Sequence, residues 1–378
     1  MTSLPGAQDS ELIFNPLTLP CGRTVENRLV KVAMTESLCR FMGGPPSDEL
    51  LKMYQLWADG GWGMILTGNV HISLTHRGLL RDLLLNARAP SEEERVQYTA
   101  LAQVIHKSTT GSRPSLAIVQ LNHTGIESSD RQCTQFADIA LGRPWQKPLA
   151  PSAIPLGSNL EGFTSRLVFG IMWQQPQAMS LDDIEAVKND FVKAAVFCHE
   201  CGFDGVEIHA AHGYLLAQFL SPLANKRTDK YADGALLVRE ICAAVRAAIS
   251  PPFVVGVKMN AGDYISGGLT SDAALDQLEK LATCGVDFIE ISGGSYEAFE
   301  FIRSASKREA FFAQFSRAAL SRIAHIPEAS RPKIVLTGGL NHKSVISDCL
   351  RAPHADFVGI GRQAVINPHL PHELLSQT

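Results

Sequence analysis

The chain has 378 residues, a formal net charge of -4, 45% apolar residues and 19% charged residues. Such a composition supplies a packed core and excludes disorder as the main state, and without a basic excess there is no general surface for nucleic acid or anionic lipid. The opening MTSLPGAQDS lacks a basic patch and an apolar core, and no apolar run approaches the roughly 18 to 20 residues of a membrane span, so a cytoplasmic location is expected.

Taken in chain order, short β-rich runs alternate with helical patterns, the sequence signature of a parallel sheet. The stretch LTLPCGRTVENR precedes them and is expected to cap the bottom of the fold. The predicted strands are LVKVAM (29–34), GMILTG (63–68), SLAIVQL (115–121), GVEIHA (205–210), FVVGVKMN (253–260), VDFIEIS (286–292), KIVLTGG (333–339) and ADFVGIG (355–361). Most are apolar throughout, as strands covered on both faces are. Helices are predicted over 47–59, 91–107, 180–201, 234–248, 271–283 and 341–350. Ser91 before three glutamates and Ser180 before Asp182 and Asp183 are N-cap signals. This alternation predicts an α/β chain folded as one (β/α)8 TIM barrel spanning 1–378, with a long Pro-, Gly- and Ser-rich excursion over 122–177 after strand three. Eight cysteines are scattered without a disulfide framework. Cys198 and Cys201 form a CHEC with no second pair downstream, so helix packing is preferred over a metal or redox role, and no metal is expected.

In such barrels reactive groups gather at the C-terminal ends of the strands. LTGGL and GIGRQAV place Gly338, Gly339, Gly361 and Arg362 after strands seven and eight, where bare backbone and a guanidinium suit a phosphate; glycines at such turns also arise for steric reasons alone. His209 and His212 are three apart, which sets both imidazoles on one side if the strand rolls into a helical turn after Ile208. Two ring N–H donors can hold a carbonyl or phenolate oxygen, with Tyr214 as a nearby proton source; the alternatives are buried structural histidines, or a metal, which lacks a third ligand. Lys258 lies inside an apolar strand and calls for an anion beside it, for which a reduced flavin is one candidate. Gln120 can hydrogen-bond the edge of a flat heterocycle or be satisfied by backbone.

These residues together resemble the old yellow enzyme family of FMN-dependent ene-reductases. HAAHGYLLAQFLSPLANKRTDKY is similar to that family's most specific segment, and IFNPLTLPCGRTVENRLVKVAMT, QLNHTG and VGIGRQAVINP fall in the expected order. The resemblance implies that Ala33, Met34 and Thr35 lie against the flavin, that Gly68 lets the backbone approach it, and that Gln120 and Lys258 meet its pyrimidine edge. It implies further that Gly338, Gly339, Gly361 and Arg362 hold the phosphate, that His209 and His212 bind a substrate carbonyl, and that Tyr214 delivers a proton. Tyr296 and Phe299 are candidates for the pocket wall. Lys258 stands where arginine is usual, which keeps the charge but not the planar fork. The expected activity is NADH- or NADPH-driven, ping-pong trans-reduction of a small enone or enal, compatible with a homo-oligomer. Two rivals remain at this point: a pathway-specific flavin-dependent isomerase or reductase, and a non-redox phosphate-binding lyase with Lys258 as a Schiff-base amine.

Overall fold

The computed structural model describes residues 5–78, 81–111, 113–127, 147–155, 175–293, 312–340, 342–352 and 354–376. Eight parallel strands close into a ring: β1 (Leu29–Lys31), β2 (Met64–His71), β3 (Leu116–Asn122), β4 (Gly205–Ala210), β5 (Val254–Asn260), β6 (Phe288–Ser292), β7 (Lys333–Thr337) and β8 (Phe357–Ile360). Each pairs with its neighbours in sequence, and β8 returns to β1 through Val358 to Leu29. All eight strands expected from the apolar runs are present. β4 matches residue for residue, whereas β1 ends at Lys31 and β2 runs on to His71.

Helices fill the connections: α1 (Asp48–Asp59), α2 (Glu92–His106), α3 (Leu181–Glu200), α4 (Leu236–Ala248), α5 (Ser271–Ala282), α6 (Ala313–Arg322) and α7 (Lys343–Arg351). The serine signals act as expected. Ser91 with Glu94 and Ser180 with Asp183 form capping boxes, satisfying amides that a helix start leaves bare. The sequence reading did not anticipate α6, nor the helices Pro5–Phe14, Leu215–Leu220, Arg362–Ile366 and Leu370–Ser376.

The barrel interior is sealed from below. The hairpin pairing Leu17–Thr18 with Thr24–Val25 sets Leu19 and Val25 against Val30, Met64, Leu116, Val254, Phe288, Val335 and Phe357. The Cys21 amide donates to Asp287 Oδ1 at 2.8 Å and pins the hairpin to the foot of β6. Space for the Phe288 ring comes from Gly256 on the adjacent strand, where a Cβ would lie 2.1 Å from the ring carbon Cζ. The apolar plug thus fills the lower barrel and leaves the polar side chains for the upper half.

One irregularity bears on the mouth. Leu66 pairs with Ile118 and Asn69 with Gln120, so Thr67 and Gly68 together face one residue of β3, a bulge that re-aims the end of β2. The Gly68 amide donates to Glu36 Oε1 at 3.1 Å and to the Tyr54 hydroxyl at 3.0 Å. Lys31, fully buried between β1 and α1, donates to the same Glu36 oxygen at 3.3 Å and lies 4.0 Å from the Trp57 ring centre. The chain after β1 is therefore tied back onto the bulge. The bridge that ties it is a charged one.

Candidate active site

At the C-terminal end of β4, His209 is buried, and His212 and Tyr214 are half-buried. The imidazoles meet with His209 Nε2 3.3 Å from His212 Nδ1, and the Tyr214 ring centre lies 4.9 Å from that of His209. The expected helical turn is not what brings them together. The strand continues to Ala210, and His212 turns back in a left-handed conformation at φ 61° before the helix Leu215–Leu220 begins. Neighbouring strands support this unfavourable backbone: Asn260 Oδ1 accepts from the His212 amide at 3.1 Å, and Ser292 Oγ lies 2.8 Å from His212 Nε2. Asn69, one residue past the bulge, donates to the Tyr214 hydroxyl at 3.3 Å.

Both imidazoles are held neutral. Burial, then His212 and Lys258, keep His209 well below the ordinary histidine range, and burial with Lys258 lowers His212 to about 3. A neutral imidazole carries one N–H, so each ring offers one donor. The Ala211 amide donates to His209 Nδ1 at 3.3 Å, which puts the His209 proton on Nε2, the nitrogen facing His212.

Below them lies a buried polar chain that the sequence reading caught only at its ends. Lys258 Nζ is 2.8 Å from Glu290 Oε1, and Thr337 Oγ1 donates to that oxygen at 3.0 Å. Gln120 Nε2 donates to Glu207 Oε2. The anion expected beside Lys258 is thus Glu290, a residue of the protein. Burial disfavours the ammonium, but Glu290 and Glu207 outweigh it and raise the Lys258 pKa. An amine held as the ammonium of an ion pair is a poor nucleophile, which disfavours the Schiff-base lyase. Glu207 and Glu290 carried the same signal as Lys258, a charge inside an apolar strand (GVEIHA and VDFIEIS), and could have been found by it.

The remaining predicted residues frame the mouth. Ala33 and Met34 are half-buried and Thr35 is exposed after β1. Gly338 and Gly339 follow β7 at φ 131° and 67°, conformations that favour glycine, and Gly361 precedes the exposed Arg362 after β8. Gly68 has a packing reason of its own, because a Cβ there would meet Glu36 Oε2 at 2.0 Å and the Met34 carbonyl oxygen at 2.4 Å. Tyr296, Phe299 and most of the 122–177 excursion lie outside the described residues. Among the described residues, no cluster of His, Cys, Asp or Glu could hold a metal ion, and no helix is long and apolar enough to cross a membrane.

A family model described as the NADH:flavin oxidoreductase / NADH oxidase family matches residues 12–378. The NADH-dependent flavin oxidoreductase iliE of Hypocrea jecorina (strain QM6a) is 34% identical over 375 residues, covering 95% of this chain and 88% of the relative. The NADH-dependent flavin oxidoreductase nadA of Aspergillus parasiticus is 33% identical over 371 residues, covering 93% and 76%. In fold the chain is similar to the old yellow enzyme homologue from Zymomonas mobilis, with a TM-score of 0.73 at 21% identity over 97% of this chain and 93% of that one. Morphinone reductase in complex with tetrahydroNAD gives a TM-score of 0.71 at 21% identity over 97% and 91%.

The barrel and its mouth are those of a flavin-dependent oxidoreductase. The chain belongs to the NADH:flavin oxidoreductase / NADH oxidase family, the old yellow enzyme family that its motifs resemble. FMN is the cofactor of this family and a nicotinamide nucleotide its reductant. The residues present fit that group: bare left-handed backbone and a guanidinium at β7 and β8 suit a phosphate, and an amide on β3 with an ammonium on β5 supplies group types that suit the polar edge of a flavin.

Proposed function

We propose that the protein is an NADH-driven ene-reductase that saturates the C=C bond of α,β-unsaturated carbonyl compounds. NADH is favoured as the reductant by the fungal relatives named NADH-dependent flavin oxidoreductases. Bound FMN would supply two-electron hydride chemistry, for which the protein provides orientation and charge. Gly338, Gly339, Gly361 and Arg362 would hold its phosphate, Gln120 and Lys258 would meet its pyrimidine edge, and Ala33, Met34 and Thr35 would line its face.

The observation that carries this reading is the grouping of two neutral imidazoles and a phenol at the end of β4. A carbonyl oxygen that enters between His209 Nε2 and His212 Nδ1 takes the His209 proton that otherwise points at His212 Nδ1, 3.3 Å away. The Ser292 hydroxyl, 2.8 Å from His212 Nε2, then donates to that nitrogen, so that the His212 proton moves to Nδ1 and becomes the second donor. Charge that develops on that oxygen is stabilised by these two donors. Tyr214 gives its proton to the α-carbon, and the Asn69 amide steadies the phenolate left behind.

The test uses FMN-loaded protein. Tyr214→Phe is expected to slow turnover of a weakly activated enone by about 10²- to 10⁴-fold and to leave flavin reduction by NADH unchanged. Wild-type turnover in that variant would refute the proton-donor role. His209→Ala combined with His212→Ala is expected to abolish the spectral change on adding phenol, and an unchanged phenol affinity would move the carbonyl site elsewhere.

A further inference from the structure

Glu207 and Glu290 lie wholly inside the barrel, on strands β4 and β6 that flank Lys258 on β5. Glu207 is held by Gln120 and Glu290 by Lys258, and the two carboxyls act on each other. Yet Glu207 Oε1 and Glu290 Oε2 are buried without a donor. Two carboxylates cannot satisfy one another, whereas one proton between them satisfies both orphaned oxygens at once. Burial, reinforced by Glu290, raises the Glu207 pKa well above the carboxylate range, in keeping with that proton residing there. The pair thus has Gln120 on one side, at Glu207, and Lys258 and Thr337 on the other, at Glu290.

Charge counting gives the pair a consequence. With one shared proton the pair carries a single negative charge, which the Lys258 ammonium at 2.8 Å neutralises. The lysine therefore has no uncommitted charge for a new anion beside it. Among the described residues, the other groups bearing on the pair and on Lys258 are the uncharged Gln120 and Thr337, neutral His209 and His212 above, the apolar plug below, and the Lys31–Glu36 ion pair at β1, whose own charges cancel.

We propose that Glu207 and Glu290 share one proton in the resting enzyme and take up a second from water when an anion forms beside Lys258. This rests on the FMN reading above. A hydride delivered to bound FMN would bring two electrons and one proton, one proton short of neutrality, and so would place one negative charge beside Lys258. The second proton, bound by the glutamate pair, frees Lys258 to face that charge and keeps the net charge of the site unchanged. The pair is a positioning and charge-compensating device that touches Gln120 and Lys258.

The midpoint potential of the FMN-loaded full chain, measured against pH above neutrality, tests the idea. Each proton taken up per electron pair contributes about 30 mV per pH unit. Wild type is expected to take up two protons per electron pair, a slope of about 60 mV. The doubly substituted Glu207→Gln, Glu290→Gln protein keeps amides in both places but has no carboxylate, and its slope is expected to fall to about 30 mV. Equal slopes in the two proteins, or one proton per electron pair in wild type, overturn the proposal. Should the double variant not fold, the infrared difference spectrum of wild type on reduction decides: a new protonated-carboxyl signal supports the proposal and its absence overturns it. A protein that takes up no FMN overturns the functional reading and this inference together, whereas a flavin-loaded protein with unchanged proton uptake overturns the inference alone.

Discussion

Replacing Glu36 by alanine removes the one anion among the described residues that faces the buried Lys31. In the native protein Glu36 Oε1 accepts from Lys31 at 3.3 Å, from the Tyr54 hydroxyl at 2.6 Å and from the Gly68 amide at 3.1 Å. Stranding a buried charge costs about 3 to 5 kcal/mol. Lys31 keeps its bond to the Leu66 carbonyl at 2.8 Å and the faces of Trp57 and Tyr54, which places the loss near the lower end. For a chain of this length, about 3 kcal/mol lowers Tm by about 4 °C. The pH dependence carries a sign. Burial lowers the Lys31 pKa, and Glu36 is the charge that opposes the shift. The unfolded chain therefore binds more protons at this position, and stability rises with pH as the folded-state pKa is passed. Glu36→Ala lowers that pKa further, so the variant should recover stability between about pH 7 and 9 more than wild type does. Denaturant midpoints at both pH values measure this. The reasoning fails if the loss is the same at both, or if adding Lys31→Met to Glu36→Ala brings no recovery at neutral pH.

Further outcomes are expected elsewhere. His76 and His123 are buried and lowered like His209 and His212, His76 to about 4, so the unfolded chain binds more protons at all four below the ordinary histidine pKa. Stability should thus fall as pH drops through and below that value, by up to about 1.4 kcal/mol per pH unit for each histidine; a flat urea midpoint across this range would contradict the neutral assignment. Gly256→Ala drives a methyl into the Phe288 ring and should cost about 1 to 3 kcal/mol or more, with partial rescue by Phe288→Leu; an unaltered melting temperature would contradict the packing. Gly339→Ala, at φ 67°, should cost about 1 kcal/mol and weaken FMN binding, read by flavin fluorescence during titration, and unaltered affinity would remove that turn from the phosphate site.

Local chemistry alone determined much of this protein. An apolar run of strand length is covered on both faces wherever it lies, so all eight strands could be read from sequence, and Ser91 and Ser180 announced their helices because a cap acts on amides within one turn. The clustering of His209, His212 and Tyr214 was legible for the same reason, since they are close in the chain. The means of their meeting was not: the left-handed turn at His212 is held by Asn260 and Ser292 from two other strands. Likewise a lone lysine in an apolar strand asks for an anion without saying which. Only strand pairing set Glu290 opposite Lys258 and Glu207 opposite Gln120, and only packing brought Glu36 to the Gly68 amide. A buried charge is stabilised by whatever the fold brings within a few ångströms of it, and that distance is set by strand register and barrel closure.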